Sequence, residues 1–218
     1  MEKSYIDSKG RFRRGHVELF LQISIDIYHR LLKYENELID LRKKNDSIAH
    51  VDEGLFPPIE KTRLSMRIST LEKEKYKSSI EGIIILSSYY EALINEIGRI
   101  ELGSTYFKKN LDNLKVLVKW EIVLKLIYSK SLQTDSQYYE SMIKIIKERN
   151  DLVHYKTKTI ENPTLREAKK GYEIANQRIS IFTNAIETLT EFHNDLLKVD
   201  SSKGLLKLFQ FMEEIKRI

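Results

Sequence analysis

Between positions 16 and 45 the apolar residues Phe20, Ile23, Ile27, Leu31, Tyr34, Leu38 and Leu41 recur at steps of three and four. An α-helix brings such positions onto one side, because 3.6 residues complete a turn; a strand would need alternation at every second residue. The stripe predicts a helix of roughly eight turns. It also commits that helix to a partner, either in its own chain or across a dimer. The composition closes off most alternatives, since eight Gly and three Pro in 218 residues leave little room for a many-turned β architecture.

Pro57 and Pro58 cannot sit in a helix interior, so the segment around them is the main connection. A second long helix is expected over 62–102, charged in its first half and apolar in its second, so that only the second half enters the core. Gly103 and Ser104 should close it. A third helix is expected over 111–128, with Leu114, Val118, Ile122 and Leu126 inward and Trp120 partly covered. The loop 129–137 ends in a candidate N-cap, Asp135 or Ser136, and a fourth helix carries Tyr138, Met142, Ile145 and Ile146 inward. Thr164 to Glu167 reads as a capping box after Pro163 and opens a fifth helix, which buries Tyr172, Ala175, Ile179, Phe182, Ile186, Leu189 and Leu196. A short last helix is expected within 204–215. No repeat period recurs. The fold class is all-α: an antiparallel up-down bundle with an additional long N-terminal helix, a single domain over 16–218.

Residues 1–15 carry Arg11, Arg13 and Arg14 between glycines. They are expected to form a mobile basic arm, or a contact strip if the ligand is RNA. The formal charge of +5 fits a polyanionic partner but also an ordinary lysine-rich protein. The chain has no cysteine, which excludes disulfides and thiolate metal sites and suits a reducing compartment. The apolar run 82–86 is too short to span a bilayer, and the N-terminal stretch lacks the apolar core of a secretory signal. A soluble, cytoplasmic protein without membrane contact is expected.

The stretch Ile145 to Lys158, "IIKERNDLVHYKTK", departs from plain helix packing. Arg149 falls on the inward stripe of Met142, Ile145 and Ile146, where a leucine would be expected, and a buried guanidinium needs a partner because it cannot shed its proton. Asn150 and His154 share a face at a spacing of four. Arg149 and His154 are five apart and converge only if the helix ends near Val153. One reading is a helix C-terminus, where Arg and His favour the macrodipole and Asn prepares to cap. The other is chemical: imidazole exchanges a proton near neutral pH, and guanidinium holds a phosphate and stabilises charge growing on it.

Arg149-Asn150-Asp151-Leu152-Val153-His154 resembles the R-x4-6-H signature of the HEPN superfamily, in its form with Asn after Arg. The upstream "SSYYEALINEIGRI" resembles the helix that in these proteins carries small residues, an aromatic and a Glu. The resemblance covers roughly 78–197 and leaves the first long helix outside. It implies a metal-independent endoribonuclease of toxin–antitoxin or antiviral defence type, working without a cofactor as a homodimer in which two copies of the motif face each other. An antitoxin or regulatory partner protein is implied with it. Arg149 would then bind the phosphate, His154 would be the acid–base group assisting attack by the ribose 2′-OH, and Asn150 would orient the pair. Products would be a 2′,3′-cyclic phosphate and a 5′-OH, and DNA would resist. Tyr155 follows His154 directly and Lys156 stands where the His-x-Tyr toxins carry their modified tyrosine, which argues against that regulation. The superfamily also contains non-catalytic members that bind nucleotides or proteins.

Glu91 and Asn95, four apart, are supporting candidates, Glu91 as a partner of Arg149 or simply part of an exposed face. Lys147, Lys156 and Lys158 flank the motif and could track an RNA backbone, or be solvated lysines. Tyr155, with Tyr138 and Tyr139, could stack bases, although tyrosines at helical spacing commonly serve the core. His16, His29, His50 and His193 are scattered without metal-ligand spacing, so no metal is expected.

Overall fold

The computed structural model describes residues 5–6, 12–13, 16–48, 58–154 and 164–200. Among them are seven helices: α1 (Val17–Ser47), α2 (Ile59–Glu101), α3 (Ser104–Asn110), α4 (Val116–Tyr128), α5 (Gln137–Val153), α6 (Leu165–Glu187) and α7 (Leu189–Val199). The only strands there are two of two residues each, β1 (Tyr5–Ile6) and β2 (Phe12–Arg13), paired antiparallel inside the expected arm. The fold is all-helical, and no described helix is long and apolar enough to cross a membrane.

The stripe on α1 finds its partner within the chain, on α2. Of its seven positions Ile27, Leu31 and Leu38 are buried and Phe20, Ile23, Tyr34 and Leu41 half-buried, with Leu21, Ile25 and Tyr28 buried beside them, and the two helices run antiparallel. Ion pairs between them set the register: Arg30 with Glu81 at 2.8 Å, Lys75 with Glu35, Arg67 with Glu37 at 2.7 Å and Arg42 with Glu72 at 2.7 Å. Three of these pairs are solvent-facing and contribute little stability each, and only Lys75 is largely covered. They fix which residues lie opposite one another. As expected, burial on α2 concentrates in its second half, from Ser78 to Gly98, with Leu71 the one buried residue before it.

That second half is the centre of the bundle. Phe192 of α7 meets Tyr90, Trp120 and Tyr138 from three helices, with ring centroids 5.3, 5.3 and 5.8 Å away. Gly82 lets α6 approach, since a Cβ there would stand 2.5 Å from the Phe182 ring. Helical glycine costs about 1 kcal/mol against alanine, so the close packing outweighs the loss.

Four sequence expectations need correction. Of Gly103 and Ser104, the two residues expected to close the second helix, Ser104 is instead the first residue of α3. Gly103 makes the reversal at φ +84, and Phe107 then packs at 0% exposure against Gly98. On α4 the inward face is Trp120, Val123 and Leu124, with Lys119, whereas Val118 and Leu126 are exposed, Leu126 by 52%. The helix is apolar on several sides, and burial follows the bulk of Trp120, fully covered rather than partly. The expected fifth helix is two helices. They part at Thr188, whose buried hydroxyl donates back to the Asn184 carbonyl at 2.9 Å alongside its own N–H at 3.1 Å, a back-bond of the kind that bends helices. On its first half Tyr172 is exposed by 55% and not buried. The helix expected within 204–215 lies outside the described residues, as do the side chains of Leu165 to Glu167 in the capping box.

Candidate functional site

Helix α5 positions the motif. Ser136 is the N-cap, its hydroxyl accepting from the Tyr139 N–H at 3.3 Å, one of the two residues expected there. The stripe Met142, Ile146, Arg149, Val153 follows steps of four, three and four, and it emerges from the core along the helix. Met142 and Ile146 are buried, Arg149 is half-buried and Val153 is 55% exposed. Arg149 is therefore not the buried guanidinium that its spacing suggested, because the stripe outruns the helices that cover it.

The helix ends at Val153, and His154 is the C-cap, its N–H donating to the Asn150 carbonyl at 3.0 Å. Arg149 Nη1 donates to Asn150 Oδ1 at 3.1 Å. Asn150 thus contacts both other motif residues, one through its side chain and one through its backbone. Asn150 and His154 are exposed, and no carboxylate lies within ion-pair distance of Arg149 among the described residues. The site offers a cation with no carboxylate partner among the described residues, an amide that steers it and a solvent-facing imidazole on one helix end. Such a group can hold a phosphate and exchange a proton with it or with an adjoining hydroxyl. Lys147 is exposed on the same turn. Tyr155, Lys156 and Lys158 lie outside the described residues.

Glu91 and Asn95 serve a different cation. Lys119 of α4 is only 1% exposed, and its Nζ donates to Asn95 Oδ1 at 3.0 Å, with Glu91 Oε1 at 3.8 Å and the Phe107 ring centroid at 6.0 Å. A buried ammonium is costly without such partners, which accounts for this polar pair on an apolar helix. Of the two readings of Glu91, the partner of Arg149 gives way to this pair, and the exposed face holds in part, its side chain being 41% exposed.

The charged group that does hold the motif's helix is one that sequence reasoning missed. Arg178 of α6 donates from Nε to Glu148 Oε1 at 2.6 Å and from Nη1 to the Tyr76 hydroxyl of α2 at 2.6 Å. Arg178 and Glu148 are both largely covered, with side chains 14% and 18% exposed. Burial lowers the guanidinium pKa, but the bonds to Glu148 and Tyr76 more than offset this and the net shift is upward. A signal existed in the sequence, since Arg178 stands at steps of three and four between Ala175 and Phe182 on the inward side of α6.

Among the described residues no three His, Asp or Glu gather as a metal ion would need. His193 is wholly buried, its Nε2 hydrogen-bonded to the Tyr89 hydroxyl, and burial pushes its pKa down to about 3. It belongs to the interior. Comparison of the chain with protein-family models, with curated proteins and with solved structures finds no match in any of the three.

Proposed function

We propose that the protein is a HEPN-type, metal-independent endoribonuclease that cuts RNA at the end of α5, with the up-down bundle of that superfamily as its scaffold. The observation that carries this reading is the last turn of α5. Arg149 is without a carboxylate partner among the described residues and is hydrogen-bonded to Asn150, and His154 caps the same turn in contact with solvent. In the proposed reaction Arg149 holds the scissile phosphate and Asn150 fixes its orientation. His154 accepts the proton of the ribose 2′-OH as that oxygen bonds to phosphorus. The bond from phosphorus to the 5′-oxygen breaks, and the leaving oxygen takes a proton from His154 of a second copy. Atoms balance in a 2′,3′-cyclic phosphate and a 5′-OH.

The homodimer belongs to the same proposal and is supported by Val153, an exposed valine continuing a stripe that is buried further back. Toxin–antitoxin or antiviral defence, with a regulatory partner protein, is the setting that the motif implies. A second reading, a non-catalytic nucleotide- or protein-binding module, draws on one observation: Glu91 and Asn95 are engaged by Lys119 and lend the motif no support.

The test is incubation of the purified protein with single-stranded RNA and DNA in a metal chelator, with analysis of the product ends. Cyclic phosphate and 5′-OH ends from RNA alone, together with a sedimenting mass of twice 25.8 kDa, are expected. Intact RNA together with measurable nucleotide or protein binding would favour the second reading.

A further inference from the structure

Away from the motif, α1, α2 and α6 enclose a half-open cleft of about 220 Å³. Its floor is apolar, from Leu38 and Ile179, and its walls carry Arg42, Lys73, Tyr76 and Tyr172. From these walls we infer that the cleft seats one nucleotide of a single-stranded RNA, its base against Tyr172 and its phosphate between Arg42 and Lys73. The choice of RNA rests on the function proposed above; the site itself rests on the cleft.

Tyr172 is the first reason. Its place in the α6 stripe suits a core residue, yet it stands 55% exposed at the cleft wall. A half-exposed phenol ring beside cations is a stacking platform for a base, whatever the sequence. The cations are the second reason. Arg42, Lys73 and Lys75 line the cleft against one carboxylate, Glu72. Lys75 is held by Glu35, and Glu72 engages one nitrogen of Arg42 at 2.7 Å. Among the described residues the other Arg42 N–H groups have no ion-pair partner, and neither has Lys73. Arg42 and Tyr172 line the same cleft, one from α1 and the other from α6.

Size and openness favour a strand over a free nucleotide. Pockets that enclose a small ligand run to roughly 300–1,000 Å³ and cover most of its surface. A smaller, open cleft holds one base while the chain continues on both sides. The cleft is also tied to the motif's helix, since the wall residue Tyr76 accepts from Arg178, which holds Glu148, the residue before Arg149.

The experiment measures anisotropy of a fluorescent 12-nucleotide single-stranded RNA on His154→Ala protein, in which cutting is removed from the readout. Tyr172→Ala or Lys73→Gln in that background should each weaken binding by roughly tenfold. Lys73→Gln should also lower the slope of log affinity against log salt by about 0.7, and Tyr172→Ala should leave that slope alone. Unchanged affinity in both variants, or no RNA binding at all, overturns the cleft. Full displacement of the strand by equal concentrations of a mononucleotide overturns the strand in favour of a free nucleotide. Parent protein that does not cut RNA, together with loss of binding in these variants, would sink the catalytic reading and leave the cleft; parent protein that cuts, with binding independent of the cleft, would do the reverse.

Discussion

The two ends of α5 obey different rules. At its start Tyr138, Met142 and Ile145 are sealed into the bundle, with Tyr138 bonded to Asp195 of α7 and packed against Phe192. At its end Arg149, Asn150, Val153 and His154 are half-buried or exposed on a turn that the neighbouring helices do not cover. The buried end is occupied by packing and tolerates little change. The open end contributes little to the core, and its polar residues are reached by solvent. Between the two lies the cross-helix tie of Glu148, Arg178 and Tyr76, where the core stops and the candidate site starts.

The comparison breaks if the buried end proves soft. Phe192→Ala removes the ring on which three helices converge and should cost about 4 kcal/mol, lowering the melting temperature by roughly 10 °C. A loss below 1 kcal/mol in urea titration would mean that the aromatic cluster is not the centre of the core. At the boundary, Arg178→Met strands Glu148 and Tyr76 and should cost about 2 kcal/mol. Adding Glu148→Met should recover part of that loss, because the carboxylate no longer lies covered without a counter-charge.

Acid sharpens the contrast further. The His193 pKa is held near 3 by burial. The unfolded chain therefore binds a proton below pH ~6.5 that the folded chain refuses. Stability should fall as pH drops through that window, by up to ~1.4 kcal/mol per pH unit from this group, and level off near its folded value. His193→Gln should remove one proton from the measured slope; an unchanged slope would contradict the burial. The smallest effect is expected on the hairpin of α1 and α2. Arg30→Ala, which breaks an exposed pair with Glu81, should change stability by less than about 0.5 kcal/mol in the same titration.

Much of this contrast was legible in the sequence. The helix of α1, the start of α2 directly after Pro58, the Ser136 cap and the end of α5 at Val153 follow from local rules that the structure repeats. Helix α4 did not, because two stripes compete on it. One contains Val118, Ile122 and Leu126; the other contains Val116, Trp120, Val123 and Ile127, and tertiary packing around Phe192 selects the second. The half-burial of Arg149 was hidden for a similar reason, since spacing reports a face and not how far the covering helices reach. The partners of Glu91, Glu148 and Lys119 depend on contacts between residues tens of positions apart, which periodicity does not encode.

The central claim is that the uncovered turn is a catalytic one, and His154→Ala tests it most directly. The account predicts that the parent cuts single-stranded RNA and that the variant cuts at least a hundredfold more slowly, the usual scale for losing a general acid–base group, at an unchanged melting temperature. Equal cleavage rates for parent and variant would contradict it.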